Sequence, residues 1–124
     1  MRVLLDTNVL IWWLIDDRRL SATHRAIIED ADNEVFVSAV SAVEVAIKAA
    51  IGKLPDLPEP LTEAVPGEGF RELRFSLAHA GAVRTLPLHH ADPFDRMLIA
   101  QALVEDLTVL TSDAAFAAYG VALA

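Results

Sequence analysis

Short apolar runs alternate with longer amphipathic stretches along this chain. Val3-Leu4-Leu5, Val35-Phe36-Val37 and Thr108-Val109-Leu110 have the length and composition of buried strands. Each stops at small polar residues: Asp6-Thr7-Asn8 after the first, Ser38 after the second, Thr111-Ser112-Asp113 after the third. Residues 70–75 alternate more loosely, with Phe70, Leu73 and Phe75 set among Arg71, Glu72 and Arg74, which predicts an edge strand. Between these runs the apolar spacing turns helical. A helix carries the run 9–15, Ser21 caps one over residues 22–29, and residues 39–51 form another that ends at Gly52. Ser76 opens a helix reaching about Arg84, and Asp92-Pro93 opens one through Glu105, with Asp as cap and Pro in the first helical position. Pro55, Pro58 and Pro60 mark a linker, and the stretch from there to Gly69 has room for a short helix. No internal repeat or low-complexity segment interrupts the pattern.

Short buried strands alternating with helices predict an α/β three-layer sandwich around a mainly parallel sheet. A length of 124 residues suits one domain spanning the chain. Apolar residues at 54% supply a core and argue against disorder. No apolar run approaches the roughly 20 residues of a membrane span, and an acid at position 6 comes too early for a secretory signal core. Without cysteine there is neither a disulfide framework nor a thiolate metal site, so a reducing cytoplasm is the expected location.

The net charge of −8 argues against a surface that attracts nucleic acid everywhere. It leaves room for an enzyme whose acids converge on one pocket around a cation. Most of the 18 acids lie in polar stretches, but four do not. Asp6 sits between two apolar runs, Glu44 between Val43 and Val45, Asp95 on a helical face with Leu98, Ile99 and Ala102, and Asp113 between a buried strand and Ala114-Ala115-Phe116. A buried carboxylate without a partner is expensive, and Lys and Arg together number only 10. Each acid also has an ordinary explanation: a helix cap for Asp6 and Asp113, an ion pair with Lys48 for Glu44, a first-turn dipole contact for Asp95. If the four converge, a hard divalent cation with oxygen ligands, Mg²⁺ or Mn²⁺, resolves their repulsion and suits phosphodiester hydrolysis.

The same residues fall in a familiar arrangement. Asp6-Thr7-Asn8, then Ser38, Ser41, Glu44 and Lys48 followed by Gly52-Lys53-Leu54, then His90, Asp92-Pro93-Phe94-Asp95-Arg96 with Gln101-Ala102, then Thr111-Ser112-Asp113, resemble PIN-domain ribonucleases over nearly the whole chain. The most similar group is the VapC toxins of type II toxin–antitoxin modules. That resemblance implies a Mg²⁺- or Mn²⁺-dependent endoribonuclease leaving 5′-phosphate and 3′-hydroxyl ends. It implies homodimers and inhibition by a VapB-type antitoxin. Asp6, Glu44, Asp95 and Asp113 become its catalytic quartet. Asp6, Asp95 and Asp113 would hold the metal directly or through water, and Glu44 would act through water. Thr7, Asn8, Thr111 and Ser112 would hold carboxylates and waters in place.

Other residues read less simply. Asp92 is better explained as the cap that sets the helix start. Arg96 is either bridged to an acid such as Asp92 or engaged in RNA contact and pocket organisation, and Lys48 is similarly ambiguous. His89 and His90 read as ordinary loop residues more readily than as RNA contacts. Trp12 and Trp13 point about 100° apart, so one ring packs in the core and the other suits a partner surface. Two alternatives stand beside the nuclease: a non-catalytic PIN-type binding module, and a haloacid-dehalogenase-like phosphatase with Asp6 as nucleophile. The latter usually has a second Asp where this chain has Asn8.

Overall fold

The computed structural model describes residues 1–124. Four strands, β1 (Arg2–Leu5), β2 (Glu34–Ser38), β3 (Arg71–Leu73) and β4 (Thr108–Leu110), form one sheet in the order β3-β2-β1-β4. All three pairings are parallel, so the sheet is more uniform than the expected mainly parallel one. β3 lies at the edge, as its loose alternation predicts. Parallel neighbours need crossovers, and six helices supply them: α1 (Thr7–Leu14), α2 (Ala22–Glu29), α3 (Ala39–Ala50), α4 (Leu61–Gly67), α5 (Leu77–Thr85) and α6 (Pro93–Glu105). A 3-10 turn over Ala114–Tyr119 closes the fold. No helix is long and apolar enough to cross a membrane.

The strands alternate their side chains between two cores. Val3 and Leu5 of β1, Val35 and Val37 of β2 and Leu110 of β4 pack with Val9, Leu10 and Ile28 of α1 and α2. Leu4 and Val109 point to the other face and meet Leu98, Ile99 and Ala102 of α6, with Phe116 beyond them. That two-sided burial explains why β1 reads as a continuous apolar run. The helix starts follow the capping chemistry. Ser21, Ser38, Ser76 and Asp92 each accept a backbone N–H in the first turn of the helix that follows. α3 gives way at Gly52, whose φ of 71° is strained for residues with a Cβ.

The chain steps from β1 outward through β2 to β3, then returns across the sheet to place β4 on the free side of β1. The order therefore reverses between β1 and β4. In open parallel sheets, sites form beyond the carboxyl ends of the strands at such a switch point. Asp6 leaves β1 there, and Thr111 to Asp113 leave β4 beside it.

Candidate metal centre

Asp6 follows β1 directly, and its backbone N–H still pairs with the Leu110 carbonyl at 3.1 Å. Its Oδ1 caps α1 by accepting from Val9 N at 2.8 Å, while Oδ2 accepts from the Thr111 hydroxyl. The cap and the site are therefore two oxygens of one carboxylate. Thr111 Oγ1 also accepts from Asp113 N at 3.0 Å, tying the loop after β4 to Asp6. Asp113 Oδ1 caps the 3-10 turn at Ala115 N, 2.9 Å, so only Oδ2 faces the other acids. Asp95 rises from the first turn of α6, where Asp92 accepts from both Phe94 N and Asp95 N. Asp92 thus caps α6 as the sequence suggests. Glu44 projects from the middle of α3 and is buried, bonded through Oε2 to Lys48.

His90 links two of these acids. Its Nε2 lies 2.9 Å from Asp95 Oδ2 and 3.1 Å from Asp113 Oδ2. His90, Asp95 and Asp113 offer ligand atoms all within 4.8 Å of one another. Sequence reasoning treats this histidine as ordinary loop, because its partner Asp113 lies 23 residues away and nothing local announces the contact. Position gave the only signal: His90 stands two residues before the cap that sets Asp95.

Electrostatics shows how the acids crowd together. Burial pushes the Asp6 carboxyl above its ordinary range, against the pull of the Thr111 hydrogen bond, and the charge of Glu44 adds to the rise. Asp95 is pushed up to about 6 by burial, then by the charge of Asp92, with His90 opposing and Asp6 and Glu44 adding smaller rises. Lys48 is held protonated chiefly by its hydrogen bond to Glu44, and it also feels Asp92 and Asp95. Asp6, Glu44 and Asp95 therefore share one field, and His90 joins Asp113 to it. One lysine does not balance them. Glu44 Oε1 is the one buried side-chain polar atom without a hydrogen-bond partner. An orphaned carboxylate oxygen amid carboxyls resisting ionisation fits a hard cation with oxygen ligands.

The PIN domain family model matches residues 3–122. The chain belongs to the PIN domain family. PIN domains are generally nucleases and typically use divalent metals. The fold is similar to VapBC2 from Rickettsia felis bound to a DNA fragment from its promoter: 14% identity, all of this chain and 98% of that one, TM-score 0.72. DNA-bound VapBC from Salmonella typhimurium matches at 16% identity over 100% of this chain and 97% of that one, TM-score 0.70. FitAcB from Neisseria gonorrhoeae reaches 26% identity over 98% and 95%, TM-score 0.67. None of the curated proteins compared with the chain matches it.

Within this PIN domain the remaining motif residues divide between site and scaffold. Thr7 is buried and donates to Ser41 Oγ at 3.0 Å, joining α1 to α3 rather than touching a carboxylate. Asn8 and Ser112 are exposed at the rim. Arg96 corrects the expectation of an acid bridge or a pocket contact. Its guanidinium donates to the carbonyls of Pro87 (2.8 Å), Leu86 (3.3 Å) and Val83 (3.4 Å) and to Tyr119 Oη (3.1 Å). A cation disfavoured at the start of its own helix finds its favourable place at the C-terminal end of α5. Gln101 is fully buried and holds structure, accepting from Ser38 Oγ and donating to the Arg74 carbonyl. Trp12 and Trp13 are both half-buried, so neither ring is the freely exposed one expected. Trp13 packs on Phe70 at 6.2 Å and donates to Glu68, whereas Trp12 lies under the Arg19 guanidinium.

Proposed function

We propose that this PIN domain is a Mg²⁺- or Mn²⁺-dependent endoribonuclease and the toxin of a VapBC-type pair, residues 1–124 acting as one unit in the cytoplasm. The observation that carries the reading is the group of acids at the β1–β4 switch point, with too little positive charge to balance it and a buried carboxylate oxygen left unpartnered. Asp6, Asp95 and Asp113 would hold the metal, and Glu44 would act through water. When bound, the metal supplies an acidified water and charge stabilisation at phosphorus.

The protein's own residues do the rest. Thr111 fixes the second oxygen of Asp6, and Lys48 holds Glu44 in place while presenting a cation at the rim. Beside the acids runs an open groove of about 340 Å³. Asn8, Trp12, Arg19, Lys48 and Lys53 line it, and no acid does. Three cations and an indole beside a carboxylate centre suit a phosphate backbone with a stacked base. In this reading Lys48, ambiguous from the sequence, both pairs with Glu44 and faces RNA, whereas Arg96 is turned to α5.

Two partners complete the reading. α3 and the residue that ends it expose Val43, Ile47 and Ile51 four residues apart, a stripe suited to a second copy in a homodimer. An apolar groove lined by Val37, Ala42, Leu61, Val65, Pro66 and Phe70 offers an antitoxin segment a seat. The solved VapBC and FitAB structures hold toxin and antitoxin together, which supports the same assembly here. Asn8 still argues against the phosphatase alternative, and the four acids argue against a silent binding module.

The test compares wild type with Asp6→Asn on RNA and DNA, with Mg²⁺, Mn²⁺ or EDTA. RNA cut by wild type alone, only with metal, and ending in 5′-phosphate and 3′-hydroxyl is the expected result. Ends bearing 2′,3′-cyclic phosphate, or equal cutting by Asp6→Asn, would overturn it. A phospho-aspartate trapped at Asp6 would revive the phosphatase.

A further inference from the structure

His90 touches two of the acids, yet the quartet alone gives it no task. Its bonds define what it can do. Nδ1 accepts the backbone N–H of Asp92 at 3.3 Å, so that nitrogen carries no proton and the ring's N–H is on Nε2. That one N–H donates to Asp113 Oδ2 at 3.1 Å, and the same nitrogen stands 2.9 Å from Asp95 Oδ2. The two aspartates come from different elements, Asp95 from α6 and Asp113 from the loop after β4. Nothing along the backbone sets their separation. With its other oxygen committed to Ala115 N, Asp113 has only Oδ2 to offer. The imidazole nitrogen holds that oxygen and lies against the Asp95 oxygen, so two separate elements meet at one point.

The ring is itself held. The backbone N–H groups of His89 and His90 donate to Tyr119 Oη at 3.1 and 2.8 Å. Arg96 Nη1 donates to the same oxygen at 3.1 Å while gripping three carbonyls at and just beyond the end of α5. Phe116, fully buried, meets the His90 ring edge-on at 6.4 Å. A continuous line of contacts therefore runs from α5 through Arg96 and Tyr119 to His90, and from His90 to both carboxylates. It also gives Arg96, which touches no acid, a connection to the site.

We propose that His90 is a positioning residue: its Nε2, bonded to Asp113 and 2.9 Å from Asp95, sets the two carboxylates at the mutual spacing a divalent cation requires, and Tyr119 and Arg96 fix the loop that carries it. The proposal rests on the metal-centre reading above and extends it to residues outside the acidic quartet. The hydrogen bonds also say what His90 is not. A ring coordinating metal through Nε2 would carry its proton on Nδ1, directly against the Asp92 N–H. His90 thus serves the centre as a donor to Asp113, set beside Asp95, rather than as a ligand.

Titration calorimetry with Mn²⁺ alone tests this on the whole chain, with no substrate present. His90→Ala is expected to weaken Mn²⁺ binding by about ten- to a hundredfold, the usual cost of losing a group that orients a ligand. His90→Gln, which keeps an N–H donor of similar reach, should recover part of the loss. Tyr119→Phe, remote from the carboxylates, should weaken binding by a smaller factor. Thermal unfolding of the metal-free variants identifies any that fail to fold; if His90→Ala is one of them, the Gln and Phe variants decide. Electron spin-echo modulation of the Mn²⁺-loaded wild type should show no directly bound ¹⁴N. Mn²⁺ binding to folded His90→Ala as tight as to wild type, or the modulation of a coordinated imidazole, would overturn the proposal and leave the metal centre standing. Wild type that binds no Mn²⁺ would overturn both.

Discussion

Two buried polar clusters lie in this PIN domain at similar depth, and they are balanced in opposite ways. In one, Gln101 accepts from Ser38 and donates to the Arg74 carbonyl, and His79 closes a capping box with Ser76 while reaching Glu105 at 2.9 Å. Every donor there meets an acceptor, and the charge of Glu105 stays near water. In the other, burial and the neighbouring charge of Glu44 make Asp6 and Asp95 resist ionisation, and Glu44 Oε1 has no partner. A satisfied cluster needs nothing from outside and fastens α6 to β2. An unsatisfied one is kept against its own electrostatics, which is how a site suited to a cation differs from a structural network.

The sharpest contrast comes from removing one member of each. Asp6→Asn should lower RNA cleavage on the order of a thousandfold or more, as loss of a central electrostatic group does, with little change in unfolding temperature. Gln101→Ala should do the reverse. Losing the partner of buried Ser38 and opening a void should cost about 2–3 kcal/mol in denaturant unfolding. Cleavage per folded molecule should stay near that of wild type. Variants with these two effects exchanged would erase the distinction.

A smaller effect concerns pH. Asp95 ionises at about 6 in the folded chain, against an ordinary 3.8, so between those values the folded state holds more protons than the unfolded one. Stability of the metal-free protein must then fall as pH rises from about 4 to 6, by something on the order of 2 kcal/mol from this group. Asp95→Asn should flatten that slope and unfold at higher temperature than wild type at neutral pH without metal. Added Mn²⁺ should reverse the ranking, because it stabilises only the form that binds it. A metal-free wild type that gains stability across this window would contradict the argument. Least of all in stability terms, Ile47→Asp on the exposed α3 stripe should shift unfolding by within about 0.5 kcal/mol. Its expected consequence is a halved mass in light scattering; an unchanged mass would remove that face as the dimer contact.

How much of this was legible beforehand depended on the range of each interaction. The elements follow from local signals: period-two and helical spacing, Ser21, Ser38, Ser76 and Asp92 as caps, Gly52 as a stop. The four acids stood out because apolar neighbours make a carboxylate conspicuous. The contacts of Arg96 and His90 were hidden because they cross elements. Arg96 reaches back to the end of α5 and forward to Tyr119, and His90 reaches Asp113. Neither reach leaves a trace in sequence periodicity. The tryptophan pair was half legible: helical geometry separates the rings, but only the fold shows that Glu68, Phe70 and Arg19 occupy them.

The most direct measurement is anomalous scattering from crystals soaked in Mn²⁺, read at the manganese edge. A peak among the side chains of Asp6, Asp95 and Asp113, with Glu44 beside it, is the predicted result. Manganese bound elsewhere while these carboxylates stay bare would contradict the account.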